Sequence, residues 1–156
     1  MVQGSFELSD NSSIKIKGKS FNLNSFKSLN DILQKITHEN KTKNISVIGN
    51  FNTELQLNSI FSKANEIDEA LSLLQHITRT IEESSIKFIS YVKGVVRGPA
   101  LELVLSCNCI KAEIDTSIDF IYTSEDIIPF FGSIQRVIKI LGYKKALQIL
   151  LKNENS

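Results

Sequence analysis

The chain has 156 residues, of which 42% are apolar and 22% are charged, and its net charge is +1. This is ordinary globular composition, which argues against a disordered, collagenous or coiled-coil protein. The near-zero net charge argues against a nucleic-acid-binding or polybasic membrane surface. Two cysteines cannot build a disulfide framework, so we expect a reducing, cytoplasmic protein. No apolar run approaches the ~18–20 residues of a membrane span, and residues 1–156 are expected to form one domain.

The first half of the chain mixes strand and helix patterns. Apolar and polar residues alternate over residues 6–23 around a polar turn at 10–13, which predicts a β-hairpin. A helical period then places Phe26, Leu29 and Leu33 on one face, which predicts a helix. The apolar run 45–48 ends at Gly49 and indicates a buried strand. Residues 50–59 are expected to form an irregular polar loop.

The second half opens with the clearest amphipathic helix of the chain, predicted over residues 60–81. The apolar run 86–92 predicts a strand. Gly98 and Pro99 then open an apolar helix that runs to about Cys107, because proline is tolerated where a helix does not need its N–H. Two short strands (109–114 and 118–122) and two helices (131–141 and 143–152) follow. This alternation favours an α/β fold with a partly parallel sheet.

Residues 89–112 read ISYVKGVVRGPALELVLSCNCIKA. This segment resembles the central signature of the crotonase superfamily, the enoyl-CoA hydratases and isomerases, written A-x-V-N-G-x-A-x-G-G-G-x-E-L-A-L-A-C-D. The positions that match without a gap are Val92, Gly94, Gly98, Glu102, Leu103, Leu105 and Cys107. In the same register Pro129 meets the family's I-P-G proline, and residues 132–136 and 141–147 resemble its G-G-T-Q-R and L-V-G-x-x-K-A-L runs. Two motifs at the correct mutual distance are far more specific than one.

The resemblance implies a crotonase-like spiral of ββα units. Because the chain stops soon after the last matching helix, it also implies a fold truncated at the C-terminus. The implied ligand is an acyl thioester, on coenzyme A or on a carrier protein, with no further cofactor. Two backbone N–H groups would hold the thioester oxygen, and two glutamates would handle water or move a proton. Members usually assemble as trimers, and the apolar excess of the two C-terminal helices likewise predicts a homo-oligomer, a trimer or another form.

The resemblance also assigns residues to this site. Glu102 takes the position of the first glutamate, and Tyr122 takes that of the second, although a phenol is a poor base at neutral pH. One oxyanion donor falls on Asn58. The other, next to Gly98, falls on Pro99, which has no backbone N–H. The loss of one such donor costs about 2.7–4 kcal/mol of transition-state stabilisation.

Two functions stay open at this point. The first is an acyl-thioester-binding family member, in fatty-acid metabolism, with weak or altered hydratase or isomerase activity that uses Glu102 as acid or base. The second is a catalytically inactive member that acts in assembly or regulation. In that case Glu102 is a paired or rim carboxylate, Gly98-Pro99 is a plain helix start, and Tyr122 is a strand aromatic. The Cys-x-Cys at Cys107 and Cys109 lacks the further ligands of a zinc site, so no metal site is predicted.

Overall fold

A computed structural model describes residues 3–39, 41–56, 64–120 and 133–153. The first two of these ranges contain β1 (Ser5–Ser9), β2 (Ser13–Lys17), β3 (Ser20–Phe21), α1 (Leu23–Glu39), β4 (Asn44–Gly49) and β5 (Glu54–Leu55). Residues 64–120 contain α2 (Ala64–Glu83), β6 (Lys87–Val92), β7 (Val95–Arg97), α3 (Pro99–Ser106), β8 (Cys109–Ala112) and β9 (Ser117–Asp119). The last range contains α4 (Ser133–Leu141) and α5 (Tyr143–Asn153).

A five-stranded sheet with the order β1-β2-β4-β6-β8 organises the fold. Strands β1 and β2 form the predicted antiparallel hairpin. Strands β2, β4, β6 and β8 then pair in parallel, which confirms the partly parallel sheet expected from the alternation of helices and strands. The described residues also form two small parallel sheets, β3-β5 and β7-β9.

The core lies against one face of this sheet. Alternate residues of each strand point to the same face. On the inner face, Ile110 and Ala112 of β8 are exposed, but most apolar residues of β1, β2, β4 and β6 are buried. They are Phe6, Ile14, Ile16, Ile45, Val47, Phe88 and Val92. The helices cover this face with the apolar stripes that their sequence period predicts, such as Phe26, Leu29 and Leu33 of α1. None of the helices in the described ranges has the length and apolar character needed to cross a bilayer.

The expectation of an irregular loop over residues 50–59 is wrong in part. Phe51 and Thr53 are buried, and Glu54–Leu55 forms β5, which pairs with β3. A strand of two residues is too short to show an alternating pattern, so periodicity could not predict it. The strand predicted over 109–114 ends at Ala112, and the strand predicted over 118–122 is shorter too, because β9 ends at Asp119.

The crossing of two chain segments positions the start of α3. Arg97, at the end of β7, donates its N–H to the Phe51 carbonyl over 3.0 Å and pairs in parallel with Asn52. Gly98 follows with a φ of +67°, a region that L side chains rarely adopt. A Cβ there would lie 2.3 Å from the Thr53 carbonyl oxygen, so both the backbone angle and the close approach require glycine.

Candidate functional site

The backbone N–H groups in the first turn of α3 are absent or engaged. Pro99 at the first helical position has no N–H. The Ala100 N–H donates to the Thr53 Oγ1 over 3.0 Å, and the Leu101 N–H donates to the Gly98 carbonyl over 3.0 Å. Helix starts normally offer unsatisfied donors to a ligand, but here a side chain of the same protein takes that place.

Thr53 acts as a cap on α3 although it lies 47 residues before Ala100. Its hydroxyl accepts from the Ala100 N–H and donates to the Arg97 carbonyl over 2.7 Å. The Thr53 side chain is fully buried. The hydroxyl therefore both donates and accepts inside the protein, and the residues of the first turn that it caps are buried.

The valine substitution Thr53→Val is expected to lower the free energy of unfolding by about 1–3 kcal/mol. Valine keeps the volume of threonine but removes the acceptor of the buried Ala100 N–H, and an unsatisfied buried donor costs about that much. Thr53→Ser is the matched control, since it retains the hydroxyl and should cost less. Urea denaturation of both variants measures the difference, and equal losses would show that the hydroxyl does not stabilise the helix start.

Glu102 lies one turn further along α3 and is fully buried. Arg136 of α4 donates from Nη1 to the Glu102 Oε2 over 3.4 Å and from Nε to the Glu82 Oε1 of α2 over 2.6 Å. The Arg136 side chain is 15% exposed, and that of Glu82 is 41% exposed. A buried carboxylate needs a balancing cation, so Arg136 stabilises the charge of Glu102 and ties three helices together.

Three of the sequence-predicted site residues meet at the start of α3. Gly98, Pro99 and Glu102 fall within its first turn and a half, as the ungapped register required. Asn58 and Tyr122 lie outside the described residues, so their roles as oxyanion donor and second catalytic group stay predictions. Pro129 and Gly132 of the second motif also lie outside them.

Thr53 and Arg136 contact these residues but were not singled out from the sequence. Arg136 belongs to the run that resembles G-G-T-Q-R, so a signal for it existed. The motif does not, however, predict which side chains Arg136 contacts. Thr53 lies in a segment with neither a motif nor a period, and only the crossing with β7 reveals its contact with α3.

The two cysteines are half-buried and not bonded to each other. Burial raises the pKa of the Cys107 thiol to about 12, against a smaller lowering by its hydrogen bond with Ser90. The Cys107 Sγ also donates to the Leu103 carbonyl over 3.2 Å. Over the described ranges, no group of three His, Cys, Asp or Glu side chains is placed to hold a metal ion.

Alkylation of Cys107 by iodoacetamide is expected to be slow in the folded protein. With a pKa of about 12, roughly one thiol in ten thousand is ionised at pH 8, and only the thiolate is an effective nucleophile. A Cys109→Ser variant isolates the Cys107 thiol, and its rate in buffer is compared with its rate in guanidinium chloride. Equal rates in the two solutions would contradict the raised pKa.

Known proteins resemble this chain in sequence and in fold, although no protein-family model matches it. An enoyl-CoA isomerase/hydratase of Mycosarcoma maydis is 33% identical over 86 residues, which cover 54% of this chain and 31% of that protein. A peroxisomal fatty acid beta-oxidation multifunctional protein of Arabidopsis thaliana is 26% identical over 124 residues, which cover 74% of this chain and 17% of that protein. The crystal structure of an enoyl-CoA hydratase from Bacillus anthracis superposes with a TM-score of 0.76 at 22% identity and covers 94% of this chain and 61% of its own.

The chain therefore has the crotonase fold, which confirms the fold class that its sequence predicted. The relatives in sequence and the neighbours in structure both point to the enoyl-CoA hydratase/isomerase (crotonase) superfamily, which confirms the resemblance found at residues 89–112. The chain spans less than two thirds of the length of each of these proteins.

Proposed function

We propose that this protein binds an acyl thioester, on coenzyme A or on a carrier protein, and hydrates or isomerises it weakly in fatty-acid metabolism. The family relationship supports the ligand class, since the names of the relatives place them in enoyl-CoA chemistry and fatty acid beta-oxidation. Coenzyme A enters as part of the substrate, and no other cofactor is part of the proposal.

The hydrogen bond between the Ala100 N–H and the Thr53 hydroxyl supports the weak activity. Hydration and isomerisation of an enoyl thioester pass through an enolate, whose oxyanion is stabilised by preorganised N–H donors. Pro99 supplies no donor, and the donor of Ala100 is already engaged. Since each missing donor costs about 10²–10³ in kcat, turnover should be low at this helix start.

Within this proposal the remaining groups keep the roles that the resemblance gives them. Asn58 supplies the surviving oxyanion donor, Gly98 lets the chain approach the thioester, and Glu102 is the acid or base. Tyr122 stands at the position of the second carboxylate and can donate a hydrogen bond. Exposed apolar side chains on α4 and α5, Ile140, Tyr143 and Leu147, support assembly of the protein as a homo-oligomer.

A second candidate is a catalytically inactive crotonase-fold protein that acts in assembly or regulation. The buried ion pair between Glu102 and Arg136 favours the inactive candidate. In this pair the Glu102 carboxylate balances the Arg136 guanidinium and links α3 to α4, which is a structural role. A catalytic acid, by contrast, must exchange its proton with the substrate.

Titration with crotonyl-CoA and assay of its hydration distinguish the two candidates. We expect binding of crotonyl-CoA by calorimetry and a turnover rate at least about 10²-fold below the ordinary range of roughly 1–1000 per second. Coenzyme A without an acyl group is the control ligand. Turnover within the ordinary range would contradict the closed oxyanion site, and the absence of both binding and turnover would favour the inactive candidate.

A further inference from the structure

The five-stranded sheet has an outer face that the described helices do not cover. Strand alternation places on it the residues between the buried ones, and the strand registers align them in rows. Glu7, Lys15 and Ile48 are in register across β1, β2 and β4, and Tyr91 and Lys111 are in register across β6 and β8. Because the neighbouring strands are about 4.8 Å apart, this face is about 20 Å wide.

Lysines are frequent on the outer face of the sheet and at its edges. Five exposed lysines lie on it or at its ends: Lys15 and Lys17 on β2, Lys87 and Lys93 at the two ends of β6, and Lys111 on β8. Two acids accompany them, Glu7 and Glu113. Lys17 pairs with Glu7, which lowers the pKa of that carboxyl through its hydrogen bond and its charge. The other four lysines make no ion pair with the described residues, so the face carries an excess of positive charge.

The middle of the face is apolar. Ile48 and Ile89 are half-buried there, and Tyr91 is 42% exposed. The Lys111 ammonium lies 5.3 Å from the centre of the Tyr91 ring, within the range of a cation–π contact. A shallow depression of about 210 Å³ opens beside this pair, lined by Tyr91, Val92, Lys93, Lys111, Ala112 and Glu113.

We propose that this lysine-rich sheet face, defined by Lys15, Lys87, Lys93 and Lys111 around Ile48, Ile89 and Tyr91, docks an acidic surface of a partner protein. Protein interfaces combine an apolar, aromatic centre with a polar rim, and this face has that arrangement. Carboxylates of the partner pair with the lysines of the rim, and one of these carboxylates enters the depression between Lys93 and Lys111. An apolar side chain of the partner packs on Tyr91.

Charge complementarity selects an acidic partner, and the apolar centre selects a protein over a nucleic acid. A nucleic-acid surface tracks a phosphate backbone with a continuous line of cations, whereas Ile48 and Ile89 interrupt such a line here. The net charge of the chain does not indicate this surface, because the sum of all charges offsets the lysines of this face with acidic residues elsewhere in the chain. The proposal is independent of the acyl-thioester function, since Glu102 and the start of α3 take no part in it.

The test measures binding of a fluorescent helical peptide with glutamates on one side and leucines on the other. The variant Lys93→Glu/Lys111→Glu reverses two charges at the depression, and Lys35→Glu/Lys139→Glu makes the same change at exposed lysines of α1 and α4. We expect the first variant to bind the peptide at least about tenfold more weakly and the second within about threefold of the parent protein. Tyr91→Ser should weaken binding without changing its salt dependence.

Circular dichroism establishes that each variant is folded before binding is compared. Equal losses in the two charge-reversal variants would overturn the proposal, because binding would then follow total charge. Tighter binding of duplex DNA or of phosphatidylserine vesicles than of the peptide, lost in Lys93→Glu/Lys111→Glu, would also overturn it by assigning the face to another class of partner. Neither result depends on binding of crotonyl-CoA, so this proposal can fail while the acyl-thioester proposal stands.

Discussion

Replacing Arg136 by methionine should lower the free energy of unfolding by about 3–5 kcal/mol. The substitution removes the guanidinium that balances the fully buried Glu102, and taking one partner from a buried ion pair typically costs that much. It also removes the 2.6 Å contact between Arg136 and Glu82, so α4 loses its ionic links to both α2 and α3. Urea denaturation followed by circular dichroism measures the change.

Two further variants separate the charge effect from simple loss of packing. Glu102→Gln combined with Arg136→Met removes both charges, and we expect it to regain much of the stability because no unbalanced charge then stays buried. Arg136→Lys keeps a cation but loses the planar fork, so it should fall between the parent and the methionine variant. If Arg136→Met fails to fold, recovery of the fold in the double variant still tests the argument. A change below about 0.5 kcal/mol in Arg136→Met, the size of an ordinary surface substitution, would contradict it.

Hydration of crotonyl-CoA should rise in the double variant Pro99→Gly/Tyr122→Glu. Glycine restores a backbone N–H at the start of α3 and lets the chain approach the thioester closely, while the new glutamate supplies the second carboxylate of the resemblance. One restored oxyanion donor is worth up to about 10²–10³ in kcat. Either substitution alone should give little, since catalytic groups that act as a unit are strongly non-additive. The assay follows the loss of the enoyl thioester by its absorbance.

The control for this gain is the same pair of substitutions combined with Glu102→Gln, in which the activity should fall back to that of the parent protein. The glycine is expected to cost about 0.4–1 kcal/mol of stability by loosening the unfolded chain, so folding is checked first. A folded double variant that neither binds nor hydrates crotonyl-CoA would favour the assembly candidate.

Sequence periodicity predicted most of the elements that frame the site. The hairpin at residues 5–17 and helices α1 and α2 have clear periods of two or of three to four residues, and the apolar run 86–92 predicted β6. These patterns follow from the geometry of one segment alone. The register of the crotonase motif likewise placed Gly98 and Pro99 at the start of α3. These features are local, so a local pattern is enough to find them.

The contacts of Thr53 and Arg136 with α3 are not local, and no sequence pattern revealed these contacts. Thr53 caps Ala100 across 47 residues, and Arg136 meets Glu102 across 34. Each of these contacts depends on which strands and helices become neighbours in space. The alternation of helices and strands along the sequence does not determine these neighbours. The outer sheet face could not be predicted from the sequence for the same reason. Its residues Lys15, Tyr91 and Lys111 belong to three different strands, which become neighbours only through the strand order of the sheet.

The amide of Ala100 gives the most direct test of the claim that the N–H groups at the start of α3 are not available to a ligand. In NMR spectra of the protein, the account predicts that this amide is protected from hydrogen exchange. It also predicts that its chemical shift stays unchanged during titration with a thioether analogue of crotonyl-CoA, because its hydrogen bond to the Thr53 hydroxyl persists. Rapid exchange of the Ala100 amide, or a large shift on addition of the analogue, would show that the donor is open to the ligand and would contradict the account.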